Sequence, residues 1–267
     1  MSYNNTVFWS PLELQTSGQN ATILAVGDSW FWYPMKGGSL INNIGDLVVN
    51  KHKILVVGNN GAEAYDYVKG KYKNACRELF RLYGSSAEAL LISGGGNDFA
   101  GFNDLRPMLN SNCQNATSPT DCFRPGTNDD EGCLNWLMNR TYENYALLIS
   151  RAIERMKPSA KIFVHNYDYG IPTGKGLMGG DAWILPALVD AKVPVAQQQA
   201  CLTFLVDSHT LILEKLQNAL PNRIVIVDSR NTLTPADWAN ELHPTGAGFK
   251  KIVQQRWQPL LQQHGIA

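Results

Sequence analysis

The chain has 267 residues, with 23 Lys+Arg against 23 Asp+Glu, 44% hydrophobic and 17% charged residues. A chain of this length buries roughly 70–75% of its unfolded surface, so it builds a core without metals or disulfide staples. The balanced charge argues against a protein that binds nucleic acid by neutralising phosphates, and the apolar fraction argues against disorder.

The N-terminal stretch lacks a positive segment followed by an apolar run, so the sequence as given carries no secretory signal. A cytoplasmic protein and a secreted, trimmed one both fit. No run of about 18 apolar residues suggests a membrane span. Five short aliphatic runs follow: 22–26, 53–57, 89–92, 161–165 and 223–227. None alternates cleanly between apolar and polar, which is the pattern of strands covered on both faces. Helical spacing of apolar residues fills 62–83, 142–156, 197–220 and 245–261. The alternation predicts one three-layer α/β sandwich around a parallel five-stranded sheet, in a single domain spanning 1–267.

Segments 99–135 and 170–194 interrupt the alternation. Both follow strand ends, where open α/β sheets bind their ligands, and both read as insertions that roof a site. The first holds Cys113, Cys122 and Cys133. One disulfide among them and three free thiols are both open readings. Cys76 sits in a helical pattern and reads as a core residue. No C-x-x-C pair occurs, and His52, His165, His209 and His264 show no ligand spacing, so no metal is expected.

The strand ends concentrate the chemistry. Gly27-Asp28-Ser29 ends the first strand, Gly58-Asn59-Asn60-Gly61 follows the second, and Gly94-Gly95-Gly96-Asn97-Asp98 follows the third. Asn240-Glu241-Leu242-His243-Pro244 comes after the fifth. A serine needs an adjacent base to become a nucleophile. A neutral imidazole takes that proton and returns it to the leaving group. Fixed N–H donors then stabilise the oxyanion of the tetrahedral intermediate. Asp28 and Asp98 read as turn-fixing carboxylates rather than an acid–base pair. The glycines match neither G-x-G-x-x-G nor a P-loop.

Ala25-Val26-Gly27-Asp28-Ser29, Gly61, Gly95-Gly96-Asn97-Asp98 and His243 resemble, in order, the blocks of the SGNH (GDSL-type) hydrolases. The resemblance implies a flavodoxin-like sheet and a serine esterase, acetyl-hydrolase or lipase acting through an acyl-serine without cofactor. It implies Ser29 as nucleophile, His243 as base, and an oxyanion hole from Ser29, Gly61 and Asn97. One departure stands out: the family's last block usually reads D-x-x-H, and here that position is Asn240. Asn240 as a neutral acceptor is the favoured reading; Glu241 or Asp237 as the acid, or a Ser29–His243 dyad, are the others. In the aromatic run from Trp30 to Tyr33, Trp30 and Trp32 are candidate substrate contacts. The expected partner is a small-molecule, carbohydrate or lipid ester. A catalytically weak carbohydrate- or lipid-binding module on the same scaffold is the alternative, and a flavin or nucleotide binder is a more distant one.

Overall fold

A computed structural model describes residues 6–33 and 37–267. Residues 1–5, part of the stretch read for a targeting signal, lie outside the described residues. Six parallel strands form one sheet: β1 (Val7–Phe8), β2 (Ile23–Gly27), β3 (Ile54–Gly58), β4 (Ala89–Ser93), β5 (Lys161–His165) and β6 (Ile224–Val227). Their spatial order is β1-β3-β2-β4-β5-β6. The five expected strands are present within a residue of their expected ends. The sixth, β1, is two residues long and pairs with β3 at the edge of the sheet.

Successive strand residues point to opposite faces, and here both faces are apolar. Leu24, Val26, Leu55, Val57, Leu90 and Ile92 join one core cluster. Ile23, Ala25, Ile54, Val56, Ala89 and Leu91 join a second. Burying an aliphatic side chain of this size contributes about 1.5–3 kcal/mol, so both layers of helices are held firmly. Helices Lys73–Tyr83, Leu134–Ile153 and Val195–Ala219 supply the first cluster; Leu40–Val48 and Gly246–Ile252 supply the second. The result is the three-layer sandwich.

Three helical segments differ from their expected bounds. The 62–83 segment is two helices, Ala64–Val68 and Lys73–Tyr83, with Gly70 at the break. A Cβ on Gly70 would lie 2.5 Å from Asp66 Oδ1. The helix expected at 142 starts at Leu134, capped by Cys133, whose Sγ accepts from Trp136 N. It therefore draws on residues that read as insertion. The last helical segment widens into a π turn at Val253–Trp257, just before Pro259; proline lacks the N–H that a regular helix would use there.

The two insertions pack on each other and on the body of the fold. In 99–135, Cys113 N donates to Ala191 O at 2.8 Å and the rings of Phe123 and Phe204 lie 5.3 Å apart. All five cysteines are buried free thiols, so the disulfide reading gives way to the thiol reading. Burial pushes Cys113 up to about 11 and Cys122 up to about 12, which keeps both protonated at neutral pH.

The register aligns Gly27 with Gly58 and Ser93, and Ser93 with His165. This row is the carboxyl edge of the sheet. At Gly58, φ is +128° and a Cβ would sit 1.9 Å from the carbonyl oxygen of Gly27. Both the conformation and the space demand glycine. Gly58→Ala should therefore cost about 3 kcal/mol and lower the melting temperature, measured by calorimetry, by at least about 5 °C. An unchanged melting temperature would mean that β2 and β3 are not this close.

Candidate active site

The chain progresses outward in opposite directions from β2, which has β3 on one side and β4 on the other. This switch point is where open α/β sheets leave a crevice. Asp28 caps the helix Ser29–Trp32 that begins there, its Oδ1 accepting from Trp30 N at 2.9 Å. Its other oxygen accepts from the Tyr167 hydroxyl at 2.6 Å. Asp98 likewise accepts from Ala64 N at 2.9 Å and the Thr141 hydroxyl at 3.2 Å. Asp28 fixes its own turn, as expected, whereas Asp98 holds the start of the Ala64–Val68 helix and a side chain of the Leu134–Ile153 helix instead. Burial pushes each up to about 7.

The opposite wall is the loop that follows β6. Asp168 accepts from the backbone N–H groups of Asn231, Thr232 and Leu233 at 2.8, 2.9 and 2.6 Å, which anchors the start of that loop. Its far end turns back on itself, with Ala239 N donating to His243 O at 2.9 Å. Trp30 Nε1 donates to Leu242 O at 3.1 Å, tying the loop to the helix of Ser29.

Ser29 Oγ lies 2.7 Å from His243 Nε2, and Asn240 Oδ1 lies 3.0 Å from His243 Nδ1. The direction of these bonds follows from the backbone. Asn240 Oδ1 also accepts from Leu242 N at 3.1 Å and His243 N at 2.9 Å. A backbone N–H only donates, so the carboxamide oxygen, not its nitrogen, must face this side. The nitrogen accordingly donates to the Tyr33 hydroxyl at 3.2 Å. His243 Nδ1 therefore carries the proton, and Nε2 of the neutral ring presents its lone pair to the Ser29 hydroxyl. Burial pushes His243 down to about 4, so the neutral ring dominates at physiological pH. Tyr33 stacks on it at 4.6 Å, and Trp183 from the second insertion meets it edge-on at 5.6 Å.

Neither acidic alternative reaches the histidine ring. Glu241 is fully buried and accepts from the backbone N–H groups of Gly174, Trp183, Ile184 and Leu185 at 2.8–3.1 Å. It is the anchor of the 170–194 insertion. Asp237 accepts from Thr234 N at 2.8 Å and pairs with Lys251 at 3.0 Å. Hydrogen bonds from Thr234 and Lys251 hold it down at about 2.

Ser29, Trp30, Asn97, Phe99, Trp238 and His243 face one cavity of about 40 Å³. Asn97 Nδ2 donates to Ala62 O at 3.0 Å. An amide nitrogen carries two hydrogens, so one remains beside the cavity. Gly61 is exposed, with φ +76°, and does not line the cavity. Trp32 does not line it either: it packs on Trp9, ring centroids 4.5 Å apart, and faces a separate groove with Pro11 and Val56. The aromatic run thus divides, Trp30 and Tyr33 toward the serine–histidine pair and Trp32 away. Tyr33 and Glu241 are the site residues that sequence reasoning missed in these roles. For Tyr33 a signal existed, since Ser29 and Tyr33 stand four residues apart around a helical turn. Among the described residues, no three His, Cys, Asp or Glu side chains are grouped to hold a metal ion, and no helix is long and apolar enough to cross a membrane.

No protein-family model matches the chain, and no curated protein matches it by sequence. Solved structures match it in shape. Phospholipase A1 from Streptomyces albidoflavus NA297 is 15% identical, with a TM-score of 0.50, over 92% of this chain and 99% of that one. A G-D-S-L family protein from Desulfitobacterium hafniense, described as lipolytic, is 11% identical, with a TM-score of 0.51, over 93% and 100%. A protein from Lactobacillus plantarum is 13% identical, with a TM-score of 0.53, over 92% and 98%. Sheet order, switch-point serine and these likenesses agree: the chain has the fold of the SGNH (GDSL-type) hydrolases.

Proposed function

We propose that the chain is a serine hydrolase of carboxylic esters, working through an acyl-Ser29 intermediate. The observation that carries this reading is the aligned run from Ser29 Oγ to His243 Nε2 and from His243 Nδ1 to Asn240 Oδ1. The Ser29 oxygen attacks the ester carbonyl carbon while its proton passes to His243 Nε2. The carbonyl oxygen becomes an oxyanion, for which the Ser29 N–H and the second Asn97 Nδ2 hydrogen are the candidate donors on the cavity wall. The intermediate collapses, the C–O bond to the alcohol breaks, and His243 gives its proton to the leaving oxygen. Water then attacks the acyl-enzyme by the same route, releasing the acid and restoring Ser29.

Asn240 fixes ring orientation and tautomer but brings no charge to offset the imidazolium. The cation must be stabilised by the Asn240 oxygen dipole and by the Tyr33 ring stacked on it. Replacing Ser29 by Ala tests the assignment. Hydrolysis of p-nitrophenyl acetate should fall at least about 10³-fold, and a fluorophosphonate should label Ser29 in the unsubstituted protein. Activity that survives the substitution rejects Ser29 as nucleophile.

The low basicity of His243 sets the pH dependence. The ring must be neutral to act as base, so kcat/KM should hold down to about pH 5 and fall as the ring takes a proton near pH 4. Asn240→Asp places a negative charge on Nδ1–H and favours the imidazolium. The acid limb should then move up toward about pH 6–7. An unmoved limb in a pH–rate profile would detach residue 240 from the ring.

The cavity limits the acyl group. Its 40 Å³ matches roughly three water-sized spheres, enough for an acetyl group. With p-nitrophenyl esters, kcat/KM should drop at least about tenfold from acetate to octanoate, as expected where a small pocket leaves added methylenes without contacts. A rise with chain length would show that the acyl chain lies elsewhere.

A further inference from the structure

Stabilising an oxyanion on Ser29 requires Asn97 at a set distance, yet the two residues stand on different strand-end loops. Tyr167 lies between these loops. It follows β5, is 6% exposed and lines the Ser29 cavity. Gly96 N donates to its hydroxyl at 2.9 Å, and the hydroxyl donates to Asp28 Oδ2 at 2.6 Å. Asp28 directly precedes Ser29, and Gly96 directly precedes Asn97. One phenol oxygen therefore joins the backbone that carries the nucleophile to the backbone that carries the candidate oxyanion donor.

The directions of these bonds are set by the backbone. An N–H only donates, so the hydroxyl accepts from Gly96 and points its own hydrogen at Asp28. The Gly96 N–H is thereby occupied, which leaves the oxyanion to its neighbour Asn97. Asp28 is the anchored end of the link: its Oδ1 accepts from Trp30 N at 2.9 Å, and its own N–H donates to Ser93 O at 2.9 Å. The residues beside Tyr167 are anchored as well. Asn166 Oδ1 accepts from Ser229 N at 2.7 Å, and Asp168 accepts from three N–H groups of the loop after β6. The glycine segment is the partner that the phenol positions.

The ring also sets how near that segment comes. A Cβ on Gly96 would lie 2.8 Å from Tyr167 Cζ, 3.0 Å from its Cε2 and 3.1 Å from its hydroxyl oxygen, and these atoms are its nearest neighbours. Gly96 is not among the glycines with positive φ. The ring, rather than the backbone conformation, therefore demands glycine at this position. We propose that Tyr167 is a positioning residue that holds Asn97 in place for the oxyanion, with the turn of Ser29 as its anchor. The proposal rests on the esterase reading and adds to it the group that sets the spacing of its parts.

Tyr167→Phe keeps the ring and removes the hydroxyl. With p-nitrophenyl acetate, kcat and kcat/KM should fall together by at least about tenfold, since a displacement of about 1 Å can cost 10²-fold. KM should stay within about twofold, the mark of an interaction made only in the transition state. In an Asn97→Ala background the same substitution should cost no more than about threefold, because the group it positions is gone. A smaller loss in the first case, or a comparable loss in both backgrounds, overturns the proposal and leaves Tyr167 a packing residue or one that acts on Ser29. Gly96→Ala keeps the hydroxyl and crowds the ring. It carries the test if near-ultraviolet circular dichroism shows that Tyr167→Phe does not fold: the same loss in kcat and the same dependence on Asn97 are expected, and their absence overturns the proposal. Ser29→Ala separates the two readings. Hydrolysis that vanishes in Ser29→Ala but is indifferent to residues 96 and 167 overturns the positioning role alone. A protein without Ser29-dependent hydrolysis removes the esterase reading, and the positioning role with it.

Discussion

The proposed active centre depends on how one carboxamide oxygen is aimed. Asn240 Oδ1 accepts three N–H groups, two from the backbone of its own turn and one from the His243 ring. The two backbone donors cannot be reversed, so the oxygen cannot turn away and the ring cannot switch tautomer. A carboxylate in this position would do the same and add charge. The neutral amide does it with an additional donor, which it spends on Tyr33. Tyr33 in turn stacks on the imidazole it indirectly helps to orient. The geometry of the His243 ring is thus over-determined by groups that carry no charge.

This arrangement exists only because two distant segments are held to one edge of the sheet. Gly27 and Gly58 let β2 and β3 approach at their carboxyl ends, where the chain turns into the helix of Ser29. The loop bearing His243 has few regular elements of its own. Buried carboxylates organise it instead: Asp168 gathers backbone N–H groups at its start, and Glu241, near its end, ties it to backbone N–H groups of the 170–194 insertion. Acidic residues here work as structural pins, each satisfied by several donors, which is the condition for burying a carboxylate.

The sheet was legible in the sequence because aliphatic runs buried on both faces have few alternative explanations. The edge strand Val7–Phe8 was not: two residues carry no period, and their pairing with Ile54 and Leu55 is purely tertiary. The start of the Leu134–Ile153 helix was hidden by the polar, glycine-rich stretch before it. At the site, the contact of Ser29 with His243 followed from residue types after strand ends, whereas Asn240 departs from the D-x-x-H pattern and its contact with the ring is visible only in the fold. Nor can a sequence show which aromatic of Trp30–Tyr33 turns inward. Gly61 illustrates the limit: its position along the chain is as expected, but the loop that carries it points into solvent while its neighbour Ala62 is held by Asn97. The role of Glu241 was hidden for a different reason. Its partners are main-chain groups about 60 positions away, and no residue type advertises them.

That last feature has an evolutionary reach. A carboxylate that grips amide hydrogens is blind to the side chains beyond them. The exposed positions of the arm from 170 to 194 can change without loosening this attachment, whereas Gly170, Gly176, Ile184, Ala187 and Leu188 are held by close packing. Trp183, perched over the histidine ring, can be exchanged for another shape at little risk to folding. Under the proposed function, new substrate preferences can therefore be explored at those positions while His243, two residues beyond the tether, stays where it is.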